Sequence, residues 1–393
     1  MYTKNIRTEE NMKYRNYALM LCIVMLIPLF AFGVGAAEFS GETDAKSAIL
    51  MEISTGRVLY EKNADEALPP ASVTKIMTML LVTEAIDGGV ISLSDMVTAS
   101  TKASKMGGSQ IYLKEGEQMS VDDLLKSLTV ASANDAAVAL AEHLCGSEEA
   151  FVARMNERAK ELSMTNTNFE NTNGLDDTTV NHVTSARDIA IMSCELLKHD
   201  LIYNYTMIWM DTIRDGAFGL TNTNRLIRFY KGATGLKTGS TSKAKFCISA
   251  SAERDGLGLV AVIMASPTRD VRNAAAASLL DYGFANYAFL QKESEAQNEI
   301  PVKGGVKKTL ATVSESFGKV INKGDDKKLE SETVLPESIA APIKKGDKVG
   351  EIIFKVDGAE IGRANVVADE DVEKISFFTL LPRMFKMLIG AKV

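Results

Sequence analysis

Apolar residues follow several distinct patterns along the chain, and the changes between them indicate its organisation. Apolar residues three and four positions apart predict a series of helices in the middle of residues 40–290, closed by a helix over 271–290. Runs typical of strands lie at 46–53, 58–63, 246–252 and 257–265. Strands at both ends with helices between them predict an α+β domain, in which a mainly antiparallel sheet is flanked by helices.

The pattern changes near residue 300. Residues 291–299 are charged and weakly apolar, which is typical of a junction. From there to about residue 367 the chain has short alternating strands separated by Gly-Asp turns, most clearly at 346–354. This spacing predicts a small all-β domain. We therefore expect a first domain over 38–291 and a second over 298–369.

The first 37 residues have the composition of an export signal. A basic start precedes an uncharged apolar run, 18–32, and small residues at 33–37 offer a cleavage site, so the pattern predicts a signal peptide over 1–37 and an exported protein. The apolar run is also long enough for an uncleaved membrane anchor, which stays an alternative.

The other end of the chain predicts an amphipathic helix over 371–393. The residues of its apolar face are Phe377, Leu381, Met384, Phe385 and Leu388. The basic residues Arg383 and Lys386 lie opposite. This profile favours a helix that associates with a membrane surface. A terminal helix packed on the β domain is the alternative.

Charge and composition exclude several functions. The net charge is −7, and residues 1–37 contribute +2, so the remainder carries −9. An acidic chain argues against binding of nucleic acid.

Cys145, Cys194 and Cys247 are widely spaced and follow apolar patterns, which favours buried thiols over a disulfide framework. Ligands are not clustered, so we expect neither a metal nor another cofactor.

The first candidate chemistry lies at Ser72-Val73-Thr74-Lys75. Two prolines precede it, and an apolar-periodic helix over 73–86 follows, so Ser72 lies at a helix start with Lys75 one turn along on the same side. A neutral amine there can accept the proton of a serine nucleophile, and the positive end of the helix disfavours the ammonium form. The alternative is that Ser72 only caps the helix.

Two further motifs follow in order. Ser132-Ala133-Asn134 falls in a break between two predicted helices, where the alternative is a turn with two capping side chains. Lys237-Thr238-Gly239 lies on a predicted strand, where the glycine permits close approach of a ligand. The S-x-x-K pattern occurs four times in the chain, whereas S-x-N and K-T-G occur once each, so the ordered combination carries the signal.

This combination is the signature set of penicillin-binding proteins and class A β-lactamases. From about Ala45 onward the chain resembles the D-alanyl-D-alanine carboxypeptidases, low-molecular-mass penicillin-binding serine peptidases. The matching segments include Leu68-Pro69-Pro70-Ala71-Ser72-Val73-Thr74-Lys75, Ala131-Ser132-Ala133-Asn134-Asp135 and Gly235-Leu236-Lys237-Thr238-Gly239-Ser240. The resemblance implies a β-lactamase/transpeptidase-like first domain, and it implies peptidoglycan stem peptides as substrate, β-lactams as inhibitors and a position at the extracytoplasmic face of the membrane.

The resemblance also implies roles for individual residues. Ser72 is the implied nucleophile, Lys75 its base and Ser132 a proton relay. The implied substrate-binding residues are Asn134, Lys237, Thr238, Gly239 and Ser240. The backbone N–H groups of Ser72 and Ser240 would form an oxyanion hole.

Two alternatives remain. A β-lactamase is disfavoured because the segment 166–177 lacks a glutamate in an E-x-x-L-N context. A non-catalytic peptidoglycan-binding protein is disfavoured by the complete motif set. One feature supports this non-catalytic alternative: the family usually has glycine at the position of Lys245. The lysine would place a bulky charge near the substrate-binding strand.

Overall fold

The structure is a computed structural model that describes residues 39, 43–177, 179–378 and 381. The strands of the first domain are β1 (Ser47–Glu52), β2 (Val58–Lys62), β3 (Met96–Thr98), β4 (Gln118–Ser120), β5 (Met210–Ile213), β6 (Phe218–Thr221), β7 (Ala233–Thr241), β8 (Lys245–Arg254) and β9 (Leu257–Ser266). A 3₁₀ turn, Ala71–Thr74, precedes the helices α1 (Lys75–Asp87), α2 (Thr101–Ser104), α3 (Val121–Val130), α4 (Asn134–Cys145), α5 (Glu148–Glu161), α6 (Ala186–Leu196), α7 (Asp200–Thr206), α8 (Leu226–Phe229) and α9 (Arg269–Asn286).

Five strands of the first domain form one antiparallel sheet in the order β2-β1-β9-β8-β7. β1 and β9 are buried along almost their whole length because helices cover both faces. Ile49 and Met51 belong to the main core with α1 and α6, whereas Leu50 points toward Gly283 of α9 on the other face. This alternation is the two-residue period of a strand. It confirms the predicted α+β layers.

The helices of the first domain surround α1, which is buried on nearly all sides. α3, α4 and α6 pack against it. Such a helix is apolar all round rather than amphipathic. The predicted start of this helix at Val73 was wrong: the chain makes a 3₁₀ turn first, and the α-helix begins at Lys75.

A second domain follows, and it is all β as predicted. Its strands are β10 (Tyr287–Lys292), β11 (Ala296–Lys303), β12 (Thr309–Ser314), β13 (Phe317–Asn322), β14 (Leu329–Val334), β15 (Ile339–Ala340), β16 (Lys348–Val356) and β17 (Ala359–Ala368). Six of them form a sheet in the order β14-β16-β17-β12-β11-β15, and β10 pairs with β13. The core of this domain includes Ile300, Leu310, Phe354 and Val366.

No linker separates the two domains, because β10 begins directly after α9. α9 ends at Asn286, four residues before the predicted end, because Tyr287 begins β10 and pairs with Asn322 of β13. Lys323 donates its backbone N–H to Asn286 O and its Nζ to Phe284 O, both at 2.8 Å. These bonds satisfy carbonyls at the end of α9 that have no partner within the helix.

The described part of the chain ends differently from the prediction. Val372 is fully buried in the core of the β domain and pairs with Ile343, and Lys374 pairs with Gly305. Residues 371–376 were expected in the terminal helix, but helix begins only at Phe377. The rest of that helix and the predicted signal peptide lie outside the described residues. Among the described residues, no helix is long and apolar enough to span a bilayer.

Candidate active site

Ser72 lies in the 3₁₀ turn at the entrance to α1. Residues 69–70 are prolines, and the turn places Ser72 on the wall of a cleft of about 470 Å³. Its side chain caps neither helix, since the N-cap residues are Pro70 and Thr74. The capping alternative is therefore wrong, and the hydroxyl is available for chemistry.

Lys75 is the hydrogen-bonding partner of Ser72. Its Nζ lies 3.0 Å from Ser72 Oγ and donates to Asn173 O at 2.8 Å. The side chain is completely buried, and burial together with the charge of Lys237 holds the pKa of Lys75 well below its usual value, against the opposing effect of Asp135. A neutral amine in this position can accept the hydroxyl proton.

The break between α3 and α4 carries Ser132. Its φ of 62° lies in the left-handed region, and the residue is nearly buried yet lines the cleft. Asn134 begins α4, and its Nδ2 donates to Gly107 O at 2.7 Å. Its Oδ1 is buried without a hydrogen-bond partner among the described residues, which leaves one acceptor beside the site. Asn134 itself is not part of the cleft wall.

The third motif lies on β7, the edge strand of the sheet next to Ser72. Thr238, Gly239 and Ser240 line the cleft, and an edge strand can pair with an extended peptide. Lys237 is completely buried behind this wall, and its Nζ donates to Thr238 O at 2.9 Å. Burial, and then the charge of Arg272, lowers the pKa of Lys237 to about 7.

Sequence reasoning missed Arg272, which lines the cleft from α9. It is 3% exposed and donates to Cys247 O at 3.3 Å and to Asn273 Oδ1 at 2.8 Å. Burial lowers its pKa to about 10. A signal was present, since Arg272 falls on the buried face of α9 with Ala276 and Leu279. A charged residue on such a face is rare unless it is paired or functional.

Other cleft residues also escaped prediction. They are Ser109, Trp209, Thr221, Asn222, Thr223, Arg225 and Arg269. Most come from loops or short elements whose approach to the cleft depends on tertiary packing. Thr221, Asn222 and Thr223 belong to a stretch of sequence that resembles the family, but none of the seven residues is part of the three chemical motifs.

Gly174 and His182 both contact the turn that carries Ser72. Gly174 is so close to the 3₁₀ turn that a Cβ atom there would lie 1.8 Å from Ala71 O. His182 accepts the backbone N–H of Glu170 at Nδ1, so its Nε2–H donates to Thr74 Oγ1 at 2.8 Å. Burial lowers the pKa of His182 to about 4, so the ring is neutral at ordinary pH. His182 therefore positions the turn, as a structural residue.

Glu170 bears on the β-lactamase alternative, and Lys245 bears on the alternative of a non-catalytic protein. The carboxylate of Glu170 accepts the backbone N–H groups of Val180 and Asn181 at 2.8 and 3.0 Å. Lys245 has a φ of 58°, which explains why glycine suits this position, and its exposed side chain does not line the cleft. As expected, Lys245 lies beside the substrate-binding strand, where it pairs with Thr241 of β7, but its side chain does not line the cleft.

A serine hydroxyl hydrogen-bonded to a buried amine of lowered pKa, beside an edge strand with a second buried lysine, is the site of a serine enzyme that transfers acyl groups. Two family models confirm this and refine it. The model described as D-alanyl-D-alanine carboxypeptidase matches residues 34–268, and the one described as the C-terminal domain of penicillin-binding protein 5 matches 284–374. The chain belongs to the D-alanyl-D-alanine carboxypeptidase family and is a serine peptidase of that specificity.

Individual relatives agree. D-alanyl-D-alanine carboxypeptidase DacF of Bacillus subtilis is 45% identical over 347 residues, 86% of this chain and 89% of the relative. Penicillin-binding protein 5 of Haemophilus influenzae superposes with a TM-score of 0.73 at 31% identity, covering 85% of this chain and 99% of that one. The ampicillin-bound penicillin-binding protein D2 of Listeria monocytogenes superposes with a TM-score of 0.57 at 32% identity. The match covers 62% of this chain and 98% of that one. The predicted transpeptidase-like fold is thus confirmed.

Proposed function

We propose that Ser72 attacks the carbonyl between the two terminal D-alanines of a peptidoglycan stem peptide. The observation that carries this proposal is the 3.0 Å contact between Ser72 Oγ and Lys75 Nζ, at an amine whose pKa burial has lowered. Lys75 takes the hydroxyl proton as the Oγ–C bond forms. Ser132, on the same cleft wall, relays a proton to the departing amine. D-alanine leaves, and water then hydrolyses the acyl ester.

The substrate is held by the edge of β7. Its terminal carboxylate meets Thr238 and the positive charge of Lys237 behind it, and the buried guanidinium of Arg272 adds a second positive charge, although it disfavours protonation of Lys237 in the free enzyme. The backbone N–H groups of Ser72 and Ser240 face the developing oxyanion. Such preorganised donors contribute roughly 3–4 kcal/mol to lowering the barrier.

A β-lactam would occupy the same place, because it carries a strained amide and a carboxylate at similar spacing. Attack by Ser72 opens the ring and leaves the drug attached to the enzyme. Glu170 is committed to its own loop by two backbone hydrogen bonds, which argues against a role in rapid release of the adduct.

The chain acts outside the cytoplasm in this proposal, where its substrate lies. Residues 1–37 direct export, 38–291 form the catalytic domain, and 298–369 form the β domain. The tail then attaches the enzyme to the membrane surface. The exposed aromatic side chains of Phe377 and Phe378 at its start support this placement.

Mass spectrometry of protein incubated with penicillin tests the chemistry. We expect a slowly released adduct on Ser72. The variants Ser72→Ala and Lys75→Ala should lose both this adduct and D-alanine release, whereas Ser242→Ala, in another S-x-x-K sequence, should keep both. Rapid turnover of the drug would support a β-lactamase, and absence of an adduct would support a non-catalytic protein. Labelling of Ser72→Ala at Ser240 or Ser242 would contradict the assignment.

A further inference from the structure

The segment 171–175 lies against the first turns of α1. Lys75 Nζ donates to Asn173 O at 2.8 Å. Thr78 Oγ1, one turn further along the same face of α1, donates to Thr172 O at 2.6 Å. All four residues are buried. Two consecutive carbonyl groups of the segment are therefore held by side chains of the helix that carries the catalytic amine.

The carbonyl of Asn173 bears directly on the direction of the Lys75 lone pair. A neutral amine has two N–H groups and one lone pair. When one N–H is directed at Asn173 O, the lone pair can face Ser72 Oγ, which lies 3.0 Å from Nζ. The same carbonyl faces the ammonium group once the proton has been transferred. Because proton transfer depends steeply on geometry, the position of this carbonyl affects the rate of acylation.

The other side of the segment borders a second pocket, of about 460 Å³, whose lining includes Asn171, Asn173 and Leu175. Packing alone therefore does not hold the segment on this side. Hydrogen bonds within the segment keep its own shape: Asn171 Oδ1 accepts the backbone N–H of Gly174 at 2.7 Å, and Asn173 Oδ1 accepts that of Leu175 at 2.9 Å. These internal bonds do not attach it to the rest of the fold.

Glu148, the first residue of α5, provides an attachment on the pocket side. Its Oε1 accepts both the backbone N–H of Thr172, at 3.1 Å, and Thr172 Oγ1, at 2.8 Å. Its Oε2 lies 2.8 Å from Lys102 Nζ, and its side chain is only 9% exposed. Glu149 also lies 2.8 Å from Lys102 Nζ, but its side chain is 77% exposed. The two glutamates thus share one lysine, and Glu148 is the one that holds Thr172.

We propose that Glu148 is a positioning residue for acylation, because it fixes Thr172 and thereby the Asn173 carbonyl that orients the amine of Lys75. Glu148 acts through the segment 171–175 and by the reach of its side chain rather than by its charge. What the segment requires is an oxygen atom that accepts the two hydrogen bonds from Thr172. This inference rests on the proposed function, since it takes Lys75 as the base.

Two conservative substitutions separate reach from charge. Glu148→Gln keeps an accepting oxygen at the same distance from the backbone and loses the charge. Glu148→Asp keeps the charge and is one methylene shorter. Stopped-flow measurement of acylation by penicillin gives the acylation rate constant and the dissociation constant of the non-covalent complex separately. We expect Glu148→Asp to lower the rate constant by roughly 10- to 100-fold, the cost of a slightly misplaced catalytic group, and Glu148→Gln to keep most of it. The dissociation constant should not change, because Glu148 does not line the cleft.

Glu149→Gln and Glu149→Asp are the matched controls, since Glu149 shares Lys102, and both should acylate at the normal rate. Urea unfolding of every variant separates a loss of stability from a loss of rate in the folded protein. Equal acylation rate constants in Glu148→Gln and Glu148→Asp, or a faster Glu148→Asp, would overturn this inference alone. Normal acylation in Lys75→Ala would instead refute the proposed function on which it rests.

Discussion

A Cβ atom at residue 239 would lie 2.7 Å from the backbone nitrogen of Ser72. This contact is closer than real Cβ atoms allow, and it involves backbone that cannot swing away. Gly239→Ala must therefore push β7 away from the 3₁₀ turn and separate the two proposed oxyanion donors. We expect acylation by penicillin to slow by roughly 10²–10³-fold, the loss typical of one oxyanion-hole donor.

Stopped-flow measurement of acylation checks this expectation. Gly219→Ala on β6 is the matched control, because a Cβ atom there meets nothing within 4 Å. Normal acylation in Gly239→Ala would show that the strand and the turn are not as tightly coupled as the contact indicates.

Lys237 provides a second prediction. Lys237→Ala removes the cation behind Thr238, so kcat/KM for peptides with a free carboxylate should fall by roughly 30-fold or more, as expected for loss of a buried charge partner. Amidation of the peptide should produce a similar loss in the unmodified protein. Lys160→Ala, an exposed position on α5, is the control. If free and amidated peptides react equally well, Lys237 does not bind the carboxylate.

The pH dependence follows from the two lysines. Lys75 must be neutral to act as base, so kcat/KM should fall as acid protonates it. Lys237 must be charged, and its pKa of about 7 means that the cation is lost as pH rises through that value in the free enzyme. The profile of kcat/KM should therefore be bell-shaped. An amidated peptide, which does not use the charge, should keep the acid limb and lose the alkaline one; identical profiles would contradict these roles.

His182 predicts an acid-dependent loss of stability. Its pKa is lowered from 6.5 to about 4 in the folded state, so below 6.5 the unfolded chain takes up a proton that the folded chain does not. The free energy of unfolding should thus decrease by about 3 kcal/mol as pH falls from 6.5 to 4. Urea unfolding of His182→Gln, compared with the unmodified protein, should show a shallower dependence over this range. Equal slopes would refute the assignment.

The tail predicts membrane attachment that is separable from catalysis. Four large apolar residues contribute roughly 1.5–3 kcal/mol each at full burial and less at an interface, which suffices for peripheral binding. They are Phe377, Leu381, Phe385 and Leu388. A protein ending at Ser376 keeps the buried Val372 and should remain folded and active on free peptides, but it should not bind anionic vesicles. If the tailed protein ignores vesicles at low salt, the helix has another role.

Sequence reasoning found the residues that carry chemistry because their spacing is local. Ser72 and Lys75 share one turn, and Thr238 and Gly239 share one strand. It could not find Arg272, which reaches the cleft only when α9 packs on β8 and β9. It placed Lys245 beside the substrate-binding strand but could not show that its side chain lies outside the cleft, since that direction depends on a positive φ. The end of α9 at Asn286 and the start of the terminal helix differ from their predicted positions. In both places the chain pairs with a distant segment instead, Tyr287 with Asn322 and Val372 with Ile343.

The bonds between Lys323 and the end of α9 have a consequence for the order of folding. A chain made from its N-terminus completes all of α9 some 37 residues before Lys323 follows it, since the helix ends at Asn286. Until then the last carbonyls of the helix have only water as partners, and its final turn is free to fray. The first domain therefore reaches its finished form only after the second has begun to fold, although its motifs are complete much earlier.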